Sequence, residues 1–496
     1  TTSPQCSVVR TLILRAALSF FVNFLKIFRK ERLSMSTTST MDKKALIKWI
    51  CVILFPVLVA LIPTGEVFTG SVKLFFVITL LAILLFATEV INQTAVALLL
   101  PVAYIVTNLA PSATVLSPWT GSTPWMMIGG LILANVLQSI GLLKRIAYKC
   151  IILTGGSYKG IIWGIALAGL ILNVLIPAQA TIPLAAFAYG VCMAMGLKRG
   201  SAAAGIMLGA GFAALLPNYF ILNPNALIVY GVGQNVTGPI GVTWTNFLFH
   251  NAPTLIFYVV MFWLTTKIFK PETHINGKEW FQAEYAKLGP MDTKEKKGLV
   301  ICILLFVGLL TQSIHGIDVA WIFAFMPMLA YIPGFNIGTA DDIKDSNFPF
   351  IIFVASCMCI GSVGTYLGVG EMIGDALMPY LEGKSFTIVL FAVWALCVLV
   401  NFILTPLAIG TTFTAPLTNI ALSLGINPEV MWMTILHGYD QIILPYEFPL
   451  YMLFFSFGLV KLTDFMKIFS VKMAVNLIFF LAILVPYWNI IGFLHV

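Results

Sequence analysis

Apolar stretches long enough to cross a lipid bilayer recur along almost the whole chain. Hydrophobic residues make up 59% of the 496 residues and charged residues only 10%, against about 25% charged residues in soluble proteins. A membrane-spanning helix needs roughly 20 mostly apolar residues, and the pattern predicts an all-α polytopic membrane protein with about eleven transmembrane helices. A transmembrane barrel is disfavoured, because it would show short alternating segments instead of long continuous runs.

Two of these apolar stretches are interrupted by proline, glycine and small polar residues, one in each half of the chain. The first interruption reads NVLIPAQATIP (residues 173–183), and the second reads NFILTPLAIGTTFTAP (residues 401–416). Lipid cannot satisfy the backbone groups of a broken helix, so such breaks survive only inside protein or beside a watery cavity. Matching breaks in two halves are typical of a transporter's substrate site, and we interpret both segments as re-entrant hairpins.

The order of segments predicts two inverted repeats joined by a polar connection. A second proline-containing break follows each hairpin, at residues 217–225 and 444–449, and repeated order of this kind is typical of inverted-repeat transporters. The predicted organisation is an N-terminal extension outside the fold (1–44), a first repeat (45–270), a polar linker (271–297) and a second repeat (298–496). The alternative for the first 34 residues is an amphipathic helix on the membrane surface.

Polar side chains inside apolar spans are energetically expensive and therefore mark candidate functional residues. Hydroxyl and amide groups can bind a carboxylate, and the N-termini of half-helices add partial positive charge for an anion. The predicted substrate contacts are Gln179, Thr181, Asn223, Asn225, Thr405, Thr411 and Thr412. The alternative for each threonine is a hydrogen bond to the backbone of its own helix.

Three ionisable residues near the second break of the second half are the candidates for coupling transport to an ion. Asp440 and Glu447 lie in an apolar setting, where a carboxylate can bind a cation or carry a proton. His437 precedes Asp440 by one helical turn and is placed to pair with it. The alternative is that both carboxylates lie at the membrane interface and contact water.

The sequence also disfavours several classes of protein. A Walker A segment, an HExxH motif and a cysteine–histidine cluster with metal-ligand spacing are all missing from the sequence, which gives no support for an ATP-driven pump or a metalloprotease. We predict that the protein is not an enzyme. The net charge of +8 comes from basic residues scattered between spans, where they set membrane orientation, so no nucleic-acid partner is expected.

Several segments, taken in order, resemble a known transporter family. They are TEVINQTAVALL (residues 88–99), WMMIGGLILA (125–134), SIGLLKRI (139–146) and NPNALIVYG (223–231). Over residues 45–490 the chain resembles the divalent anion:sodium symporter family, which includes di- and tricarboxylate and sulfate carriers. The resemblance implies an ion-transporter fold and a homodimer in the bilayer of the inner or plasma membrane. It also implies that the substrate domain moves like an elevator against a scaffold.

The hairpins depart from the family's pattern. The family's hairpins carry Ser-Asn-Thr signatures that bind substrate carboxylates, with sodium bound by nearby backbone. Here IPAQAT (residues 176–181) and TPLAIGTT (405–412) stand in their places. The resemblance implies sodium near Asn173, Asn225 and Gly410. The departures keep sodium coupling, proton coupling through Asp440 or Glu447, and anion exchange open as alternatives.

The predicted function is secondary active transport of small organic anions, most of all di- or tricarboxylates, without a cofactor other than sodium ions. Two alternatives stay open. A cation/proton antiporter of a related fold would need more buried carboxylates, and a membrane-embedded enzyme would need a catalytic cluster near the interface. The sequence does not distinguish which anion is carried, the stoichiometry or the direction of transport.

Overall fold

The computed structural model describes residues 43–66, 68–88, 90–271, 277–346, 348–369, 372, 379–381, 383–402 and 404–495. The predicted N-terminal extension, apart from its last two residues, lies outside these described residues. Within them the regular structure is helical, and pairing of β type is limited to an isolated antiparallel bridge between Ile426 and His495. The all-α prediction is therefore confirmed.

The described residues on either side of the polar linker (271–297), called the hydrophilic segment below, are mostly helical. The helices before the hydrophilic segment are α1 (Lys43–Leu61), α2 (Gly70–Thr88), α3 (Gln93–Val106), α4 (Ser112–Val115), α5 (Ser117–Thr120), α6 (Ser122–Ser139), α7 (Leu142–Leu153), α8 (Tyr158–Leu175), α9 (Thr181–Ala194), α10 (Ser201–Leu215), α11 (Pro224–Thr237), α12 (Trp244–Asn251) and α13 (Thr254–Ile268). A 3₁₀ turn, Leu216–Tyr219, follows α10.

The later part of the chain begins with a short helix in the hydrophilic segment. Its helices are α14 (Lys278–Lys287), α15 (Thr293–Leu310), α16 (Gln312–His315), α17 (Val319–Phe325), α18 (Ala340–Lys344), α19 (Phe348–Tyr366), α20 (Phe386–Asn401), α21 (Pro406–Ser423), α22 (Pro428–Tyr439), α23 (Pro449–Ser456), α24 (Leu462–Phe479) and α25 (Val485–Ile490). A 3₁₀ turn, Pro445–Glu447, precedes α23, and a π-helical turn, Phe480–Leu484, joins α24 to α25.

Several of these helices are long and apolar enough to span a bilayer. In the described residues four stretches meet both criteria: Tyr158–Leu175, Ser201–Thr237, Ala340–Tyr366 and Leu462–Ile490. Two bent pairs of helices, with angles of 70° and 61°, raise the number to six if each pair is one span. Six further apolar helices have 10–17 residues, below the usual spanning length. The protein is thus a multi-pass membrane protein, and the total of about eleven crossings stays a prediction.

The chain divides into two compact units, Thr1–Leu54 and Phe55–Val496. The described part of the first unit is the N-terminal portion of α1. The second unit contains the remaining helices, with a large buried core to which helices α6 to α13 and α20 to α25 contribute most of the side chains.

The starts of three helices around the breaks have the same local cause. A side chain that accepts backbone N–H groups is followed at once by proline, whose fixed φ suits the first helical position and whose missing N–H costs nothing there. The capping residues are Asn223, Thr405 and Asn427, which precede α11, α21 and α22. The sequence therefore places these helix starts through short-range chemistry alone.

The two predicted hairpins are both helix–break–helix elements, and the elements that follow them repeat in the same order. In the first half α8, a break, α9, α10, a second break and α11 succeed one another, and α20 to α23 repeat this series. The first helix of each series packs along the third, α8 on α10 and α20 on α22. Across the halves, α11 packs on α21 and α22, while α23 packs on α9 and α10. This reciprocal packing supports the prediction of inverted repeats.

The hydrophilic segment is docked against the first half and is more than a spacer. Its helix α14 packs on α7, with Phe281 fully buried. Arg145 of α7 makes a two-bond ion pair with Glu295 of α15, with Nε–Oε1 and Nη2–Oε2 distances of 2.7 and 2.9 Å. The same guanidinium also donates to the backbone oxygens of Leu288 and Gly289. One buried cation thus holds the connection between α14 and α15.

Candidate functional site

The break in the first hairpin is organised by a buried asparagine. The Asn173 side-chain nitrogen donates to the backbone oxygen of Gly169 in its own helix and to that of Ala213 in α10, at 2.9 and 3.1 Å. Its side-chain oxygen accepts the N–H of Ala178, which has a left-handed φ of +61°. A non-glycine residue seldom adopts that conformation, so the asparagine stabilises an otherwise unfavourable turn.

The second hairpin also has a buried asparagine that holds backbone, although its side-chain oxygen has no hydrogen-bond partner among the described residues. Asn401 ends α20, is buried, and donates to the backbone oxygens of Tyr439 and Gln441 at 2.7 and 3.4 Å. These carbonyls lie at the end of α22, as Ala213 lies at the end of α10. In both series an asparagine at the hairpin therefore ties the hairpin to the backbone next to the second break. Of the predicted sodium-site residues, Asn173 thus uses its side chain to hold backbone.

A cavity of about 310 Å³ lies where the N-terminal ends of five helices meet. The first turns of α3, α11, α19 and α21 each line it, among other residues with Gln93, Asn225, Pro349 and Pro406. The fifth N-terminus is that of α23, which contributes its first two residues. Helix N-termini carry partial positive charge and are favourable places for anions. Among the described lining residues, only Phe86 and Tyr439 come from helix C-terminal ends.

The cavity wall combines a few polar groups with an apolar surface. Asn225, Thr405, Gln93 and Thr94 supply amide and hydroxyl groups, Tyr439 adds a phenol side chain, and none of the described residues that line it is charged. Gly410, the third predicted sodium-site residue, lines it together with Asn225. Asn225 and Thr405 come from opposite halves of the chain and are 180 positions apart, yet the fold brings both to one cavity. Their role as substrate contacts stays a prediction.

Two other predicted substrate contacts use their polar groups inside the protein. The Asn223 side chain accepts the N–H groups of Asn225 and Ala226 and donates to the backbone oxygens of Asn218 and Ile221. It therefore shapes the break and caps α11, beside the cavity but not in its lining. The Thr411 hydroxyl donates to backbone oxygens of its own helix, which is the alternative considered for each threonine.

The remaining predicted contacts do not line this cavity. Gln179 lies beside Gly130 of α6. The hydroxyl of Thr181 is buried without a hydrogen-bond partner among the described residues. Thr412 also has a buried hydroxyl without such a partner, and it lines a different, strongly apolar cavity with α2 and α19. The structure therefore groups Asn225 and Thr405 but separates Gln179, Thr181 and Thr412 from them.

The predicted coupling residue Asp440 is part of a buried ion pair. Lys472 of α24 is fully buried, and its Nζ lies 2.6 Å from Asp440 Oδ2. The same carboxylate oxygen accepts the hydroxyl of Tyr219, from the second break of the first half, at 2.6 Å. Gln441 donates to this Tyr219 hydroxyl at 3.0 Å. The cluster thus joins the two breaks, one from each half of the chain.

The predicted pairing of His437 with Asp440 is wrong. The His437 ring stacks on Tyr219 with a centroid distance of 4.3 Å, and its Nδ1 is bonded to Asn476 at 3.1 Å. A residue one turn away along a helix can be outcompeted when a neighbouring helix presents a better partner, and here α24 supplies Lys472 to the carboxylate. His437 Nε2 is buried, and no described residue bonds to it.

Glu447 is buried and holds the second break of the second half. Its carboxylate accepts the N–H groups of Leu444 and Ile443 at 2.8 and 3.3 Å. These contacts close the 3₁₀ turn before α23. Both carboxylates are buried, which argues against the water contact considered as the alternative for Asp440 and Glu447.

With this geometry described, comparison with known proteins identifies the family. The model of the sodium:sulfate symporter transmembrane region matches residues 43–494. The chain belongs to the sodium:sulfate symporter family. That match covers both series of helices and breaks, the cavity and the ion pair, and it confirms the resemblance described for residues 45–490.

Individual relatives of this symporter-family chain are distant. A protein of Haemophilus influenzae described as an uncharacterized transporter is 22% identical over 450 residues, covering 86% of this chain and 93% of that protein. A Cupriavidus necator protein described as a membrane protein is 27% identical over 207 residues, 39% of this chain and 40% of the relative. The solved structure of Neisseria gonorrhoeae MtrF, described as illuminating a class of antimetabolite efflux pumps, has a TM-score of 0.53. It is 13% identical, with 87% of this chain and 97% of that one covered, and the likeness shows the fold alone.

Sequence reasoning missed Lys472 in this member of the symporter family. The residue lies within FMKIFSVKMAVNLIFF (residues 465–480), where a lysine inside an apolar run is the available signal. Charged residues at membrane depth almost always have a partner, so this lysine predicts a buried carboxylate nearby. Lys467, five residues earlier, is exposed. The sequence did not distinguish the two lysines, because only tertiary packing decides which one faces α22.

Proposed function

We propose that this protein is a secondary active transporter of small organic anions, with di- and tricarboxylates as its substrates. The observation that carries the proposal is the cavity at five helix N-termini, with Asn225 and Thr405 contributed by opposite halves. The partial positive charges at these helix ends attract an anion. No charged side chain lines the cavity among the described residues, so the bound anion can leave again. Two N–H groups of α11 already bond to Asn223, so the anion meets this helix through the Asn225 amide and the helix dipole.

The wall of the cavity favours an organic anion over sulfate. Ile228, Val229, Phe353 and Leu407 give it a largely apolar surface next to its few polar groups. The carbon chain of a dicarboxylate can contact such a wall while its carboxylates meet the polar groups, whereas all faces of sulfate need hydrogen-bond donors. The volume of about 310 Å³ is near the lower end for ligand pockets, roughly 300–1,000 Å³, which suits a small substrate.

The proposed transport cycle moves the cavity across the membrane in an elevator-like motion of one domain of a homodimer. The second hairpin and the second breaks of both halves line the cavity, and the Asp440 cluster joins the chain next to those breaks. Alternating access in repeat transporters uses motion of one such bundle against another. Gln179, Thr181 and Thr412 belong to the proposed substrate path in other stages of the cycle. The proposed coupling residues are Asp440, Glu447 and His437, with sodium, protons or exchanged anions as the driving species.

Uptake of labelled succinate into proteoliposomes tests this function directly. Sodium and proton gradients are imposed separately, and vesicles without protein provide the background. Uptake driven by either gradient, and inhibited by unlabelled citrate more strongly than by sulfate, is the expected result. Loading the vesicles with succinate or citrate tests exchange. If no di- or tricarboxylate enters under any of these conditions, the proposed substrate class is wrong.

Replacing Asn225 should weaken substrate binding without loss of fold. A hydrogen bond to a charged group contributes about 1.5–3 kcal/mol, so Asn225→Ala should raise the KM for succinate roughly tenfold or more. Thr411→Val is the matched control, because its hydroxyl bonds to its own helix and does not line the cavity. Uptake kinetics with equal amounts of reconstituted protein give both values. Equal KM values for the two variants would contradict the assignment of this cavity.

Glu447→Gln should separate coupling from folding. The glutamine side-chain oxygen can still accept the Leu444 N–H, so the turn should persist, but the side chain can no longer exchange a proton. If Glu447 carries the coupled proton, uptake in the variant is abolished or loses its dependence on external pH, while the melting temperature changes little. The measurement is succinate uptake across a series of external pH values. A wild-type pH dependence in the variant would exclude Glu447 as the proton carrier.

A further inference from the structure

The Lys472 ammonium is surrounded by three oxygen atoms. Its Nζ donates to the backbone oxygen of Asp440 at 2.6 Å, to the Asp440 carboxylate at 2.6 Å and to the side-chain oxygen of Gln441 at 3.5 Å. The set therefore comprises a carbonyl, a carboxylate and an amide oxygen from two consecutive residues. The ammonium has three N–H donors, and the carbonyl and the amide oxygen accept those that the carboxylate does not.

These oxygens lie at the broken end of a helix. Asp440 is the C-terminal cap of α22, and the chain is unwound from Gln441 to Leu444 before the 3₁₀ turn. Helix C-terminal ends carry partial negative charge, and unwound carbonyls at such ends coordinate monovalent cations in transporters built from discontinuous helices. The oxygens around Lys472 thus have the chemistry of a cation site.

Aromatic rings complete the surroundings of the ammonium. The rings of Tyr451 and Phe469 lie 5.6 and 5.9 Å from Nζ, within the range at which an aromatic face attracts a cation. The sequence of the first half lacks an equivalent acidic residue. If Asn173 and Asn401 are aligned, Phe212 and Ala213 stand where the second half has Asp440 and Gln441. The break of the first half (217–225) therefore has no counterpart of this carboxylate and amide pair.

We propose that Lys472 is a tethered cation that occupies a monovalent-cation site at the break that follows α22. The ammonium takes the position that a free cation such as sodium would otherwise fill, and it stays there because its side chain is part of α24. Given the transport function proposed above, this half of the protein binds no free sodium at the break. Any sodium requirement of transport then arises elsewhere in the molecule.

The competing explanation is an ion pair that only stabilises the fold, and removal of the lysine distinguishes the two. Lys472→Ala leaves the oxygens in place without their cation. If the site accepts free cations, sodium should stabilise this variant more than it stabilises the wild type. If the pair is only structural, sodium has no special effect, and stability returns only when the carboxylate is also neutralised.

The experiment is thermal unfolding of the purified full-length protein in detergent, in sodium chloride and in choline chloride at equal ionic strength. Choline is too large for a site shaped around an ammonium group. Lys472→Ala should melt about 2–4 °C higher in sodium than in choline, beyond any difference seen for the wild type. Lys467→Ala, an exposed lysine of the same helix, should show only the wild-type difference, as should Lys472→Ala combined with Asp440→Asn.

Three results would overturn the proposal. The first is a folded Lys472→Ala variant with no extra stabilisation by sodium. The second is equal sodium stabilisation of the double variant, which lacks the carboxylate. The third is a Lys472→Ala variant that cannot be obtained folded even when it is purified throughout in sodium, since the free ion then fails to replace the ammonium. None of these measurements requires transport, so they stand apart from the success or failure of the uptake assay.

Discussion

Gly129→Ala should prevent stable folding of the protein, whereas Gly130→Ala should be tolerated. A Cβ atom at Gly129 would lie 2.0 Å from the backbone oxygen of Phe323 and 2.9 Å from the α-carbon of Ala324, both in α17. Backbone of a packed helix cannot give way as a side chain can, so α6 and α17 would have to separate. Overpacking of this kind costs about 1–3 kcal/mol or more, and small residues are what allow helices in membranes to approach so closely.

The neighbouring glycine provides a control that differs by one position. A Cβ at Gly130 would have as its nearest neighbour the Gln179 Cγ at 3.9 Å, an ordinary contact. Alanine is also favoured over glycine in a helix by about 1 kcal/mol. The yield of folded protein from membranes and its melting temperature in detergent measure both variants. Similar yields and melting temperatures for the two would show that α6 and α17 are not in this close contact.

Glu295→Ala should destabilise the protein by roughly 3–5 kcal/mol, because it leaves the buried Arg145 guanidinium without its anion. The loss extends beyond the ion pair. The Glu295 carboxylate also accepts the N–H of Asp292 and thereby closes the capping box that starts α15. Thermal unfolding in detergent, compared with the wild type, gives the size of the effect.

Glu284→Ala is the matched control for this prediction. Glu284 pairs with Lys287 in the same hydrophilic segment, but the lysine side chain is 70% exposed, and exposed pairs contribute roughly 0–1 kcal/mol. Arg145→Leu combined with Glu295→Leu should recover part of the lost stability, since no unpaired charge is then buried. A Glu295→Ala variant no less stable than Glu284→Ala would mean that the segment is not held by this pair.

The tethered-cation proposal bears on how a member of this family is driven. The Asp440 carboxylate is not free to bind an ion, since Lys472 and Tyr219 already donate hydrogen bonds to it. Of the residues predicted for coupling, Glu447 has no cation as a partner in the described structure and bonds only to backbone N–H groups. The proposals for Glu447 and Lys472 are therefore compatible, and their tests use different measurements.

Local chemistry explains why so much of the fold was predictable. The helix boundaries, the hairpin breaks and the second breaks follow from apolar length, proline and capping side chains, which act over a few residues. The sequence predicts the breaks at 173–183 and 401–416 because proline and small polar residues are energetically costly in an apolar setting. The same reasoning singled out Asn225 and Thr405, which line the cavity, and Asp440 and Glu447, which are buried. Their roles in substrate binding and coupling stay predictions.

The sequence by itself determined that this is a polytopic helical membrane protein with a broken helix pair in each half. Only the tertiary structure decided which polar groups meet. The five helix N-termini come together through packing between the halves, and Lys472 reaches Asp440 across 32 residues from another helix. Gln179 is a polar residue in an apolar hairpin, as expected of a site residue, but it lies beside α6. The physical reason is that a break depends on neighbours along the chain, whereas a binding site depends on which helices pack against one another.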